Sequence, residues 1–181
     1  MSSKIKKFIQ KIRVPLGFVF AVVFMILASP SFMYLMIGVS VAFVGLLIRA
    51  WAAGHIRKNE DLAISGPYAF TRNPLYLGSF LLGLGFMIAS GVWWLALIFV
   101  VLYLGIYFPV MSVEAEELSV IFGEKYNEYA DEVSLFFPWF SKYKSDGKKF
   151  EKSLYIKHRE YQAALGFMFV AGVLTAKAYF F

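Results

Sequence analysis

Five long apolar stretches dominate this sequence and restrict the chain to folds that a lipid bilayer accepts. They are Val14–Ser29, Phe32–Ala53, Leu75–Ala89, Val92–Val110 and Tyr161–Phe181. A helix needs about 20 apolar residues to cross the hydrocarbon layer, so the second, fourth and fifth stretches suffice alone. The first and third are short, which fits a thinned bilayer or a protein-covered position. We therefore predict an all-α, polytopic transmembrane bundle of about five transmembrane helices with short cytoplasmic amphipathic helices.

The amino-acid composition favours the same class. Sixty per cent of the 181 residues are hydrophobic, whereas soluble domains contain about 45–50% apolar residues. The length is that of one domain, residues 1–181. The net charge of +6 is better explained by attraction to anionic lipid headgroups than by nucleic-acid binding. There is no cysteine, and the only two histidines, His55 and His158, lie far apart, so we predict no metal site.

The basic residues predict how the chain is oriented. Five Lys and Arg precede the first stretch, three lie between the second and third, and eight lie between the fourth and fifth, making 16 of the 18. Because basic loops stay cytoplasmic, we predict a cytoplasmic N-terminus and interpret the first stretch as an uncleaved transmembrane helix. The cytoplasmic segments Gly54–Pro74 and Met111–Glu160 are then the places for chemistry, because only tight turns lie on the far side.

The first cytoplasmic segment predicts an anion-binding helix N-terminus. Asn73-Pro74 is typical of an N-cap followed by proline at the first helical position. The free N–H groups there and Arg72 just before them suit a carboxylate or a phosphate. The alternative for Arg72 is an ordinary anchor at the membrane interface.

The second cytoplasmic segment opens with three acids, Glu114, Glu116 and Glu117. If the fourth helix continues through them, Glu114 and Glu117 share a face and Glu116 points elsewhere. Carboxylates at the C-terminal end of a membrane helix are costly, and a cationic ligand would offset that cost. The alternative is a solvated, charged helix end.

An amphipathic helix is predicted to follow, because Tyr126, Tyr129 and Val133 recur at helical spacing. It would lie on the membrane or fold over the first segment as a lid, with simple packing of the aromatic side chains as the alternative. Two further cations lie within apolar stretches. Arg49 is a functional candidate by its position or a snorkelling side chain, and Lys177 is placed to snorkel outward.

Two blocks of this sequence resemble the isoprenylcysteine carboxyl methyltransferase family and the broader group of integral-membrane methyltransferases that includes phospholipid N-methyltransferases. The blocks are Ser65–Tyr68 with Arg72–Gly78, and Glu114–Leu118 with Phe122–Tyr129, Val133 and Pro138. The resemblance covers about residues 52–138, and the stretch 161–181 adds a C-terminal transmembrane helix. It implies a compact helical membrane bundle that holds S-adenosyl-L-methionine in a cytoplasmic pocket, with a lipid acceptor entering from the bilayer.

The resemblance also implies which residues bind the cofactor. They are Glu60, in a weaker stretch running to Ala63, then Tyr68, Arg72, Asn73, Pro74, Leu75, Tyr76, and one of Glu114, Glu116 and Glu117. Glu114, Glu117 and Arg49 are the candidates for a catalytic role. The sequence departs from the family pattern at Asn73, where the family usually has histidine, and at Ser112 and Val113, where the carboxyl methyltransferases carry an arginine for the substrate carboxylate.

The expected function is S-adenosylmethionine-dependent methyl transfer to a lipid-like or prenylated acceptor at the cytoplasmic membrane face. Transfer to oxygen or to nitrogen, the identity of the acceptor and the oligomeric state stay open. One alternative is a sterol-type membrane reductase, since those NADPH enzymes share a similar Arg-x-Pro-x-Tyr-like block. The other is a non-enzymatic membrane scaffold or transporter subunit, which would place polar residues at the bilayer midplane, where this sequence has few.

Overall fold

The computed structural model describes residues 15, 17–57, 61–139, 143 and 146–180, and this part of the chain is all-helical. Its helices are α1 (Gly17–Leu27), α2 (Phe32–Ala53), a 3₁₀ helix (Gly66–Ala69), α3 (Pro74–Ala89), α4 (Trp93–Phe122), α5 (Glu124–Glu132), α6 (Lys152–Lys157) and α7 (Tyr161–Phe180). Among them, α2, α4 and α7 are long and apolar enough to cross a membrane, and α1 and α3 are shorter apolar helices. The predicted all-α membrane bundle is confirmed.

Helices α2 and α3 pack with their backbones nearly touching. A Cβ atom added at Gly38 would lie 2.3 Å from the Ala89 nitrogen, and one added at Gly85 would lie 2.3 Å from the Ala42 nitrogen. Small residues allow such an approach between membrane helices. The Ser29 N–H also donates a 2.8 Å hydrogen bond to the Ser90 carbonyl, so the two tight turns lie side by side.

Helix α4 runs further than its apolar stretch. It begins at Trp93, continues through Pro109 and the three glutamates, and ends at Phe122. Gly123 follows with φ of 57°, a conformation that glycine adopts without steric cost. The chain therefore turns sharply into α5, which brings α5 back towards the loop between α2 and α3.

Helix α7 packs on α2 and, less extensively, on α3. Its fully buried Leu174 joins a cluster that includes Phe24, Phe86 and Leu95. Near its end, Lys177 donates a 3.0 Å hydrogen bond from Nζ to the Met25 carbonyl of α1. The open carbonyls at the end of α1 thus provide a partner for the Lys177 ammonium, and outward snorkelling of this side chain stays a prediction.

We predict that Gly85→Ala destabilises the protein, because the new methyl group would overlap the α2 backbone and separating the helices costs about 1–3 kcal/mol or more. Gly105→Ala is the matched control, since nothing lies within 4 Å of a Cβ at that position in α4. Thermal unfolding in detergent measures both. Equal melting temperatures for the two variants would contradict the close α2–α3 contact.

Candidate functional site

Helix α5 folds over the loop between α2 and α3. The Tyr129 hydroxyl donates a 2.7 Å hydrogen bond to the Tyr68 carbonyl. Tyr126, Tyr129 and Val133 pack with Leu62 and Ile64 in one buried cluster. The predicted amphipathic helix is thus present, and it covers the first segment as a lid.

The segment after α5, residues 134–136, accepts hydrogen bonds from the residues that lead into α3, and we call this segment the strap. Thr71 Oγ1 donates to the Phe136 carbonyl at 2.8 Å, and the Arg72 N–H donates to the Ser134 carbonyl at 2.9 Å. Asn73 occupies the N-cap position of α3, but its side chain makes no capping bond. Its amide nitrogen donates instead to the Leu135 carbonyl at 2.9 Å, so Asn73 is the N-cap residue as predicted, but its side chain makes no bond to the helix. Pro74 does begin the helix, as predicted.

The two sequence blocks meet where the first turn of α3 faces α4. The Tyr76 hydroxyl donates a 2.7 Å hydrogen bond to Glu114 Oε1. The Tyr76 carbonyl accepts a 2.8 Å bond from the Tyr103 hydroxyl, and the ring centroids of Tyr76 and Tyr107 lie 5.4 Å apart. One carboxylate is thereby fixed against a group of aromatic rings, an arrangement suited to a cation.

Arg72 lies just before the first turn of α3 and faces α5. Its guanidinium donates to the Tyr126 hydroxyl at 3.2 Å and lies 5.9 Å from the centre of that ring. Its Nε is buried and has no hydrogen-bond partner among the described residues. Leaving such a donor unsatisfied costs about 1–3 kcal/mol, so an acceptor on a ligand would stabilise this arrangement.

Two carboxylates affect the buried Tyr68. Burial is the largest cause that raises the pKa of its hydroxyl, followed by the negative charges of Glu160 and Glu114. Burial likewise raises the pKa of Tyr129. Both hydroxyls therefore stay protonated near neutral pH, and that of Tyr129 donates to the Tyr68 carbonyl.

Arg49 of α2 is bound both to Glu160 and to the first turns of α3. It forms a two-point ion pair with Glu160, in which one of the bonds, from Nη2 to Oε2, is 3.0 Å long. It also donates to Ser79 Oγ and, at 3.4 Å, to the Leu75 carbonyl. Sequence reasoning singled out Arg49 and missed Glu160. An acid at the start of the last apolar stretch was the available signal.

The connector before α7 is tied to the segment that follows α2. The Glu151 N–H donates to the Gly54 carbonyl at 2.9 Å, and Lys148 pairs with Asp61 at 2.7 Å. The hydrogen bond from Lys148, followed by its charge, lowers the pKa of the Asp61 carboxyl. This connector therefore forms an outer layer over the site.

The remaining candidates are more dispersed. Glu116 lines a groove on a different part of α4, together with Phe108 and Ser112. Glu117 is exposed, and Glu60 lies outside the described residues. Across the described ranges, no group of three His, Cys, Asp or Glu side chains is arranged to hold a metal ion.

Comparison with known proteins identifies the class. The profile of the phospholipid methyltransferase family matches residues 23–125, more than half of the chain. The chain therefore belongs to the phospholipid methyltransferase family. The matched region begins well before the residues that carried the resemblance and ends shortly after Gly123.

Two curated relatives are bacterial. The chain is 41% identical to the cobalt-zinc-cadmium resistance protein CzcN of Cupriavidus metallidurans over 119 residues, which are 61% of this chain and 50% of that protein. It is 37% identical to the nickel-cobalt-cadmium resistance protein NccN of Alcaligenes xylosoxydans xylosoxydans, over 61% of this chain and 51% of that protein. The chain thus spans about half the length of these relatives. No solved structure matches.

We predict that Tyr129→Phe lowers the stability of the fold by about 1 kcal/mol, the usual worth of one hydrogen bond, because Tyr68 loses its buried donor. Tyr179→Phe is the control, since that side chain is 84% exposed. Chemical denaturation in detergent compares the two. A Tyr129→Phe protein as stable as the control would mean that this bond does not hold the lid.

Proposed function

We propose that this protein is an S-adenosylmethionine-dependent methyltransferase that modifies a lipid-like or prenylated acceptor at the cytoplasmic face of the membrane. The observation that carries the proposal is the 2.7 Å hydrogen bond between Tyr76 and Glu114. It joins the two sequence blocks into one site at the end of the apolar helices. The family match supports the reaction class.

The residues present fit the proposed cofactor. S-adenosylmethionine carries a sulfonium and an ammonium, both cationic, and one carboxylate. The carboxylate of Glu114 and the rings of Tyr76 and Tyr107 suit the cations. The buried Nε of Arg72, which has no partner among the described residues, suits the carboxylate. Tyr68, whose hydroxyl pKa is raised in part by the charge of Glu114, is a further candidate for contact with the cofactor.

The cofactor, when bound, supplies an electrophilic methyl group that transfers to a nucleophile in one in-line displacement. The protein then contributes mainly by orienting the reactants and excluding water. Helix α5 and the strap that follows it cover the loop and perform the second task. Arg49 is engaged by Glu160, so we assign it a positioning role. Glu114 is the candidate to receive a proton from an amine acceptor, whereas a carboxylate acceptor needs no base.

The proposed acceptor class follows from the position of the site. The site lies where α3 and α4 meet, beside helices whose exposed faces are apolar, so a molecule dissolved in the bilayer reaches it directly. The basic residues around it favour the cytoplasmic side. The two relatives are named for resistance to metals, and we propose no metal substrate here.

We predict that the detergent-purified protein binds S-adenosylhomocysteine in a calorimetric titration and does not bind NADPH. Arg72→Ala should weaken that binding about tenfold or more, because a hydrogen bond to a charged group contributes about 1.5–3 kcal/mol. Arg57→Ala is the matched control, since Arg57 pairs with Glu151 in the outer connector.

The outcomes of this titration distinguish the proposed methyltransferase from its alternatives. Equal weakening by the two arginine variants would remove Arg72 from the cofactor site. Binding of NADPH alone would replace the proposal with a reductase, and binding of neither ligand would favour a non-enzymatic role.

A further inference from the structure

Among the described residues, Glu160 is the only Asp, Glu, Lys or Arg that is buried, and it forms an ion pair with Arg49, which is 24% exposed. Glu160 is only 7% exposed, and both of its oxygens accept from Arg49. A buried pair is a poor source of stability, because desolvating two charges costs about as much as their attraction returns. Its presence at the end of membrane helices therefore suggests that the pair positions other residues.

Two local features show that the fold accommodates this pair at some cost. Arg159, next to Glu160, has φ of 54°, a left-handed conformation that is unfavourable for a residue with a side chain. On the opposite side, a Cβ atom at Gly78 would lie 2.6 Å from Cγ of Arg49. The chain thus turns sharply just before Glu160, and Gly78, the last residue of the first sequence block, leaves room for the aliphatic part of the Arg49 side chain.

The pair reaches the candidate site through α3. Arg49 donates to the Leu75 carbonyl and to the Ser79 hydroxyl, and these two residues flank Tyr76 on the helix. Tyr76 in turn donates to Glu114. Polar contacts therefore run from Glu160, just before α7, through Arg49 of α2 to α3, and the α3 backbone connects them to the bond between Tyr76 and Glu114.

We propose that Glu160 is a positioning residue for the candidate site. Through Arg49 it fixes the first turns of α3, and so sets the direction in which Tyr76 presents its hydroxyl to Glu114. Glu160 lies outside the family-matched residues 23–125, so α7 contributes to the site from beyond that region. The proposal rests on the proposed function only where it concerns affinity for the cofactor.

The test compares two anchors of the same helix. Glu160→Gln removes the negative charge that lies just before α7 and binds Arg49 of α2. Lys177→Met removes the hydrogen bond to Met25 near the end of α7 and is the matched control. Each protein carries 3-fluorotyrosine at position 76, and ¹⁹F NMR reports the environment of that ring without any ligand. Calorimetry with S-adenosylhomocysteine is the second readout.

We expect Glu160→Gln to change the ¹⁹F chemical shift and to weaken S-adenosylhomocysteine binding roughly tenfold, about the effect of losing one hydrogen bond at the ligand. Lys177→Met should leave both unchanged even where it lowers the melting temperature. Glu160→Asp, which keeps the charge, should restore part of the affinity. If Glu160→Gln does not fold, Ser79→Ala breaks the same series at the next contact.

An unchanged ¹⁹F spectrum in Glu160→Gln, or equal changes in Glu160→Gln and Lys177→Met, would overturn the proposal. Failure of the unsubstituted protein to bind S-adenosylhomocysteine would instead count against the proposed function. The ¹⁹F comparison would still decide whether Glu160 positions Tyr76.

Discussion

The contact between the backbones of α2 and α3 governs where the rest of the site lies. Glycines at positions 38 and 85 let the two helices approach within the space that a single methyl group would fill. At this distance, Arg49 of α2 reaches the Leu75 carbonyl in the first turn of α3. The same turn directs Tyr76 towards α4 and Glu114. A wider helix pair would break each of these contacts in succession.

Two acids at this end of the helices have polar partners in the described part of the chain. Glu160 pairs with Arg49, and Glu114 accepts from the Tyr76 hydroxyl. The buried Nε of Arg72, by contrast, has no hydrogen-bond partner among the described residues. Buried polar groups in native proteins almost always have partners, so this one marks the position at which a bound anion would complete the structure. Under the proposed function, one ligand that carries both charges would satisfy this donor and the carboxylate of Glu114.

The sequence pattern predicted the helices well, because membrane-spanning helices are long, apolar and locally determined. The second stretch, Phe32–Ala53, coincides with α2, and the third differs from α3 by one residue. Helix α4 extends past its apolar stretch, since nothing in Met111–Phe122 breaks a helix. The amphipathic spacing of Tyr126, Tyr129 and Val133 likewise identified the buried face of α5.

The polar contacts of the site were less predictable, because they join residues that are distant in sequence. Arg49 and Glu160 are 111 positions apart, and no local pattern connects them. Asn73 has a side chain that can cap a helix, but its amide nitrogen donates to the Leu135 carbonyl, 62 positions away. The position of Tyr76 on α3 was predicted from its sequence block. Its hydrogen bond with Glu114 depends on how α3 packs against α4, which the sequence pattern does not specify.

Transfer of a labelled methyl group into lipid tests the central claim most directly. The purified protein would be incubated with S-adenosylmethionine labelled in the methyl group and with vesicles made from total membrane lipid, and the organic phase would then be counted. The account predicts that label enters the lipid fraction and that S-adenosylhomocysteine suppresses its entry. A lipid fraction without label, from a protein that binds S-adenosylhomocysteine, would contradict a lipid acceptor.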